Sequence, residues 1–251
     1  MPTVASPHMK IIVNCGPCEA FIGTCLASLK SQSHRNWKAL VTVDPCGDET
    51  EKAAATARDG DERIAITTNL QRLYAMENTV RAIARSGADD EDVFVVLDGD
   101  DWFHTTNALE TIAAAYREHD CWMTYGSWTA GPDGLPGCWP AYPDGGRAFR
   151  YLRWLATAVR TWKKWLWDRI DDADLRDEDG SYFRVTEDMA IMFPLLEMCG
   201  TERAHHIPTP LMWYNGTHAF TCAKTKRTEA HRNTFVIRNR PQYACLTAKP
   251  G

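Results

Sequence analysis

Three carboxylates fall within four residues of this chain: Asp98, Asp100 and Asp101, in the run VFVVLDGDDWF. Anions so close repel one another, which costs stability unless a cation is present. Mg2+ and Mn2+ take one or two carboxylates and fill their other positions with phosphate oxygens or water. An acidic run at the end of an apolar strand is therefore a good receptor for a metal-bound diphosphate. The same residue types also form turns and cap helices. The apolar strand before the run and the aromatic Trp102 and Phe103 after it favour the metal role.

A second acidic pair, Glu187 and Asp188, opens the apolar run VTEDMAIMFPLLEMCG. On its own it reads as a first helical turn, with Thr186 as cap and two acids favoured by the helix dipole. His218 follows an aromatic run, and Lys224, Lys226 and Arg227 come after it. A histidine beside two carboxylates is a reasonable Mn2+ set. The three cations read either as a lid over phosphates or as a solvated tail. Cys15 and Cys18 form the one close pair among nine cysteines. No second pair completes a zinc ribbon, and a redox role needs the pair to open a helix. The favoured reading is reduced, mostly buried thiols in a reducing compartment.

These residues need a frame to bring them together. Residues 10–14 (KIIVN), 37–43 (WKALVTV), 63–67 and 93–97 (VFVVL) read as strands. Helical spacing occupies 20–32, 49–59 and 73–85 between them. Strands separated by helices of this length imply right-handed βαβ units and a doubly wound sheet. Ligands in such sheets bind beyond the carboxyl ends of the strands. Asp44 follows the second strand there, and Asp98 follows the fourth. Farther on, 107–119 is predicted as helix, 121–125 as strand, 131–146 as a Gly/Pro-rich loop, and 149–170 as a helix broken once. Residues 171–180 form an acidic connector, 186–199 a helix and 211–214 a strand, followed by a polar, basic tail.

The 251 residues are 44% hydrophobic and 24% charged, which suits a globular domain with a sizeable core. A formal net charge of -5 gives no reason to expect nucleic acid as the partner. No stretch reaches the roughly 20 apolar residues that span a bilayer. Residues 1–9 lack an apolar signal segment and are expected to be flexible. The expected location is cytoplasmic. The Trp- and Arg-rich stretch 149–170 reads as helical core with a solvated basic face, or, more sharply, as a surface for an acceptor or a membrane interface. Trp122, Trp128 and Trp139, near the Gly/Pro loop, are candidates to border an acceptor site.

The run VFVVLDGDDWF resembles the D-x-D-D-aromatic motif that follows a buried strand in glycosyltransferase family 2. Residues 10–50, with the helix FIGTCLASLKSQSHRNW and the strand ALVTVDPCGDET, resemble that family's nucleotide-binding half. The resemblance covers 10–130 well and 180–220 moderately. It departs at NCGPCEAF, where the family has a Pro-Thr-Tyr-Asn type of turn, and at LYAMENTV, which lacks an arginine often found there.

The resemblance implies an α/β GT-A fold, a Rossmann-like and mostly parallel sheet flanked by helices, with a helical, partly irregular C-terminal part. It implies a catalytic domain over 10–220, divided into a nucleotide-binding half (10–105) and an acceptor-side half (106–220), then a tail or lid over 221–251. The implied activity is metal-dependent, inverting transfer of a sugar from a nucleoside-diphosphate sugar to a hydroxyl of a glycan, protein or lipid acceptor. Asp44, Asn69, Asp98, Lys224 and Arg227 would bind the donor. Asp98, Asp100 and His218 would hold Mn2+ or Mg2+, and Asp188, supported by Glu187, would be the base. The alternatives are a nucleotidyltransferase or other nucleotide-sugar enzyme, for which NCGPCEAF is a poor phosphate loop, and a non-catalytic nucleotide-sugar-binding domain.

Overall fold

A computed structural model describes residues 6–130, 134–137, 139–216 and 226–250. The first half is the expected alternation. Strand β1 (Met9–Cys15) leads to α1 (Ile22–Lys30), β2 (Trp37–Val43), α2 (Thr50–Arg58), β3 (Ile64–Thr68), α3 (Tyr74–Arg85) and β4 (Val93–Asp98). Strand β1 pairs in parallel with both β2 and β4, and β2 pairs in parallel with β3.

The chain continues through β5 (Trp102–Phe103), α4 (Ala108–Glu118), β6 (Met123–Ala130), β7 (Leu135–Gly137), β8 (Arg160–Lys163) and α5 (Lys164–Trp167). It ends with α6 (Glu187–Arg203), β9 (Ala204–Tyr214) and α7 (Arg227–Arg238). The sheet runs β3-β2-β1-β4-β8-β6-β9-β5, and β7 pairs with β6. Strand β8 is antiparallel to both β4 and β6, whereas β6 and β9 are parallel. The fold is therefore the expected mixed α/β sheet, mostly parallel and covered on both faces.

Alternation along each strand builds the two cores, because successive side chains point to opposite faces. Ile11 and Val13 of β1 and Val93, Val95 and Leu97 of β4 pack with α1 and α4 on one face. Ile12, Phe94 and Val96 pack with α3 and α6 on the other. Each such side chain contributes about 1.5–3 kcal/mol when fully buried. Asp98 follows Phe94 and Val96 in this alternation, so it falls on the face that carries the start of α6.

The stretch 149–170 corrects the sequence reading. It is not a broken helix: a 3-10 turn at Phe149–Tyr151 precedes β8, and only Lys164–Trp167 is α-helical. The residues that matched helical spacing, Leu155, Val159, Trp162 and Leu166, are all buried, but on either side of a strand inserted at the centre of the sheet. Thr161 and Trp162 suit a strand, and pairing with two neighbours outweighs local helical periodicity. Strand β9 is also longer than the 211–214 expected, the Gly/Pro segment contains β7, and the basic tail contains α7.

A buried ion pair ties the C-terminal part together. Arg150 Nε donates to Glu197 Oε1 at 2.6 Å and Nη2 to Oε2 at 2.9 Å, while Nη1 donates to the Ile237 carbonyl of α7 at 2.6 Å. Both side chains are 1% exposed. Among the described residues no helix is long and apolar enough to cross a membrane.

Candidate active site

The carboxyl ends of β1 and β4 and the start of α6 enclose a cavity of about 500 Å3. Its acidic wall is the turn after β4. Gly99 N–H donates to Asn14 O at 2.8 Å and Asp101 N–H to Asp98 O at 3.0 Å, which fixes a tight reversal directly behind the strand. Asp101 Oδ1 accepts the Asn215 N–H at 2.8 Å, so the turn is tied to the end of β9. Asp98, Asp100 and Asp101 all line the cavity.

Glu187 and Asp188 enter the same cavity from the first turn of α6. Thr186 does not cap that helix: its hydroxyl donates back to the Val185 carbonyl, and its φ is +63°. A left-handed β-branched residue is a true outlier and costs roughly 1–3 kcal/mol. The strained turn delivers the two acids to the cavity, so a plain capped first turn does not account for them.

Arg160, at the start of β8, is the cation in contact with these acids. Its Nη1 lies 3.2 Å from Asp188 Oδ2. Burial opposes the Arg160 charge, but Asp188, Asp98, Glu187 and Asp101 outweigh it and hold the guanidinium above its ordinary value. Sequence reading missed Arg160 because it assigned this stretch to a helix.

The carboxyls feel the opposite pressure. Burial first, and then the Asp100 charge, push Asp98 up to about 6, with Arg160 opposing and Asp188 adding to the rise. Burial raises Asp100. Burial and the charges of Asp98 and Asp100 raise Asp101 well above the carboxylate range, against the Asn215 N–H. Glu187 is pushed up to about 7 by burial, then by Asp188 and Asp98. Asp98, Asp100, Asp101, Glu187 and Asp188 thus share one cavity, lined on its cationic side by Arg72, Arg160 and Arg184 among the described residues. Acids crowded in this way could hold a divalent cation, with Asp98 and Asp100 as candidate donors. Among the described residues no three His, Cys, Asp or Glu side chains already form a metal cage. Phosphate oxygens would have to supply the remaining ligands. His218 and Lys224 lie outside the described residues.

The expected donor-binding residues divide. Asp44 lines the cavity, but its Oδ1 accepts from Asn69 Nδ2 (2.8 Å) and Leu73 N–H (3.1 Å), and its Oδ2 from Tyr74 N–H (2.8 Å). Asp44 therefore anchors the loop into α3. Asn69 bridges it to Asn78 Oδ1 at 2.7 Å and belongs to this anchor rather than to the cavity wall. Arg227 begins α7, exposed and away from the cavity lining.

Its neighbour Lys226 instead sets Nζ 4.0 Å from the centre of the Tyr74 ring, which Arg72 (4.7 Å) and Arg184 (5.6 Å) also approach. Tyr74, Arg72 and Arg184 line the cavity and were missed in the sequence, since only folding brings positions 72, 184 and 226 to one ring. Asn14 also lines it: Nδ2 donates to Thr79 Oγ1 at 3.0 Å, while Oδ1 is buried without a partner among the described residues.

Of the three tryptophans expected at an acceptor site, Trp128 lines the cavity, with its ring 5.2 Å from that of Tyr214. Trp122 does not: it is core, packed edge-on to Trp165 at 5.0 Å. Trp139 is covered by the Arg153 guanidinium at 3.9 Å and lies off the cavity.

The fold is similar to those of known glycosyltransferases. S. aureus TarS 1-349, solved in complex with UDP-GlcNAc, superposes with a TM-score of 0.66 at 13% identity, covering 91% of this chain and 66% of that one. The mannosyltransferase PcManGT from Pyrobaculum calidifontis, in complex with GDP-Man and Mn2+, gives 0.64 at 12% identity, covering 96% and 66%. A longer S. aureus TarS structure gives 0.61 at 15% identity, with 82% of this chain and 36% of that one. The chain thus spans at most about two thirds of the length of these proteins. At such identities the likeness shows the fold. No curated protein matches the sequence significantly. The model of the family described as glycosyl transferase family 2 matches residues 11–179, well over half of the chain. With that match added to the fold and the acidic cavity, the chain belongs to glycosyl transferase family 2.

Proposed function

We propose that this protein is a metal-dependent, inverting glycosyltransferase that uses a nucleoside-diphosphate sugar. The observation that carries the reading is the crowding of acids in the cavity, where Asp98, Asp100, Asp101, Glu187 and Asp188 converge and Arg160 contacts Asp188. A diphosphate held against the Asp98–Asp101 turn through Mg2+ or Mn2+ resolves it. Asp98 and Asp100 would hold the metal, which, when bound, neutralises charge on the departing nucleoside diphosphate. Two structures similar in fold that carry nucleotide sugars, TarS with UDP-GlcNAc and PcManGT with GDP-Man and Mn2+, support a donor of this class.

The residues of the chain divide the remaining work. An acceptor hydroxyl must lose its proton as its oxygen attacks the anomeric carbon. Asp188 takes that proton, and Arg160 holds the carboxylate in place. Glu187, at about 7, is largely protonated in the empty site below neutral pH and supports Asp188 rather than replacing it. Trp128 and Tyr214 offer ring faces on which a pyranose can stack. The unpartnered Oδ1 of Asn14 offers an acceptor to an N–H or O–H of the donor. Arg72, Arg184 and Lys226 carry positive charge to the cavity rim around Tyr74 and suit the phosphates. Lys224 and His218 would join the donor and the metal respectively.

The test is a panel of UDP- and GDP-sugars with Mn2+, read as released nucleoside diphosphate. One or two donors should react, chelator should stop them, and Asp100→Ala should abolish release. Undiminished release by Asp100→Ala would refute the metal assignment.

A further inference from the structure

Sugar transfer leaves the thiols of Cys15 and Cys18 unused. Cys15 ends β1, and Cys18 stands in the turn that starts α1, its carbonyl accepting the N–H groups of Phe21 and Ile22 at 2.9 Å each. The CxxC spacing therefore joins a strand end to the turn ahead of α1, within a βαβ unit, rather than opening the helix itself. The neighbouring Cys18 thiol, and then burial, push the Cys15 thiol well above its ordinary value. Both are almost fully buried, 1% and 3% exposed, yet both belong to the wall of the donor cavity, which gives a small oxidant its path. Both sulfurs also lie beside Gly99, between the aspartates of the acidic turn. A Cβ at that residue would lie 2.7 Å from Cys15 Sγ and 2.9 Å from Cys18 Sγ.

We propose that Cys15 and Cys18 are an oxidation site, closing to a reversible disulfide that switches off donor binding. The inference rests on the donor-site reading above. The oxidant is a peroxide. One sulfur attacks a peroxide oxygen, the O–O bond breaks, and the first water leaves with the thiol proton. The second sulfur then displaces hydroxide from the resulting sulfenic acid; the S–S bond forms and the second water leaves. Two thiols are oxidised, one peroxide is reduced to two waters, and a thiol reductant reverses the step by exchange.

A disulfide holds its sulfurs about 2.05 Å apart, well inside a thiol–thiol contact. Gly99 lies beside both sulfurs and its N–H is bonded to Asn14 O, so closing the disulfide should disturb the backbone that sets Asp98 and Asp100. A displacement of about 1 Å at such a site costs on the order of 100-fold.

The test treats the full chain with hydrogen peroxide, in a Cys46→Ser/Cys245→Ser background that removes the more accessible described thiols. Peptide mass mapping and calorimetric titration with UDP or GDP plus Mn2+ follow. The expected result is loss of two hydrogens in the peptide holding both cysteines, slowed by bound nucleotide. Nucleotide affinity should fall at least about tenfold and return with dithiothreitol, and Cys18→Ala should lose both the cross-link and the response. Absence of the link, a link with unchanged affinity, or a retained response in Cys18→Ala would overturn the proposal. Reduced protein that binds no nucleotide would refute the donor reading and the switching role with it, while the mass map would still decide the oxidation site.

Discussion

Arg160 Nη1 and Asp188 Oδ2 stand 3.2 Å apart, joining a strand inserted in the sheet to the first turn of a helix 28 positions later in sequence. This contact aims one carboxylate of a crowded acidic cavity. On the proposed mechanism, Asp188→Asn removes the base but keeps the shape. Turnover should fall by about 10²–10⁴-fold, while calorimetric donor affinity stays within a few fold. A variant that turns over normally contradicts the assignment.

Arg160→Met should act through Asp188 and the donor together. It removes the cation that contacts Asp188 and that lowers Asp98 and Glu187. Activity should fall, and its pH profile should shift upward because Asp98 and Glu187 become harder to ionise. An unshifted profile would show that Arg160 does not tune the site.

The metal-free protein should lose stability as pH rises. Glu187 has a folded value of about 7 and Asp98 of about 6, against ordinary values near 4. The folded state therefore binds protons more tightly than the unfolded chain, and stability declines with rising pH between those limits. The melting temperature should drop by several degrees from pH 5 to pH 8. Mn2+ with nucleotide should flatten the trend, and a metal-free protein that gains stability over this range contradicts the electrostatics.

Glu197→Ala tests the frame. It leaves Arg150 buried without its bidentate partner, a loss that costs about 3–5 kcal/mol. Urea unfolding should register it as a lower midpoint. A change under 1 kcal/mol, on the scale of an exposed ion pair, would mean the pair is not desolvated in solution.

The first half of the chain was largely legible in the sequence. Val93–Asp98 announces itself by an unbroken apolar run ending in acid, and α3 by Met76 and Ile83 on one face. The second half was not. Trp162 and Leu166 are core residues under either assignment, so burial periodicity could not tell β8 from a helix; the partners that decide it, β4 and β6, are distant in sequence. Arg160 was lost with that strand. Asp44 and Asn69 sit where the family pattern puts them, yet the sequence could not show that each spends its hydrogen bonds on the loop into α3. The Tyr74 platform was invisible because Arg72, Arg184 and Lys226 meet only in the fold.

The central claim is that the Asp98–Asp101 turn grips a diphosphate through a divalent cation. Calorimetric titration of UDP-GlcNAc and GDP-mannose, with and without Mn2+, into the unmodified protein and Asp100→Asn tests it most directly. The account expects one of these donors to bind at least about tenfold more tightly with Mn2+, and Asp100→Asn to erase that gain. Binding that ignores both the metal and the substitution would contradict it.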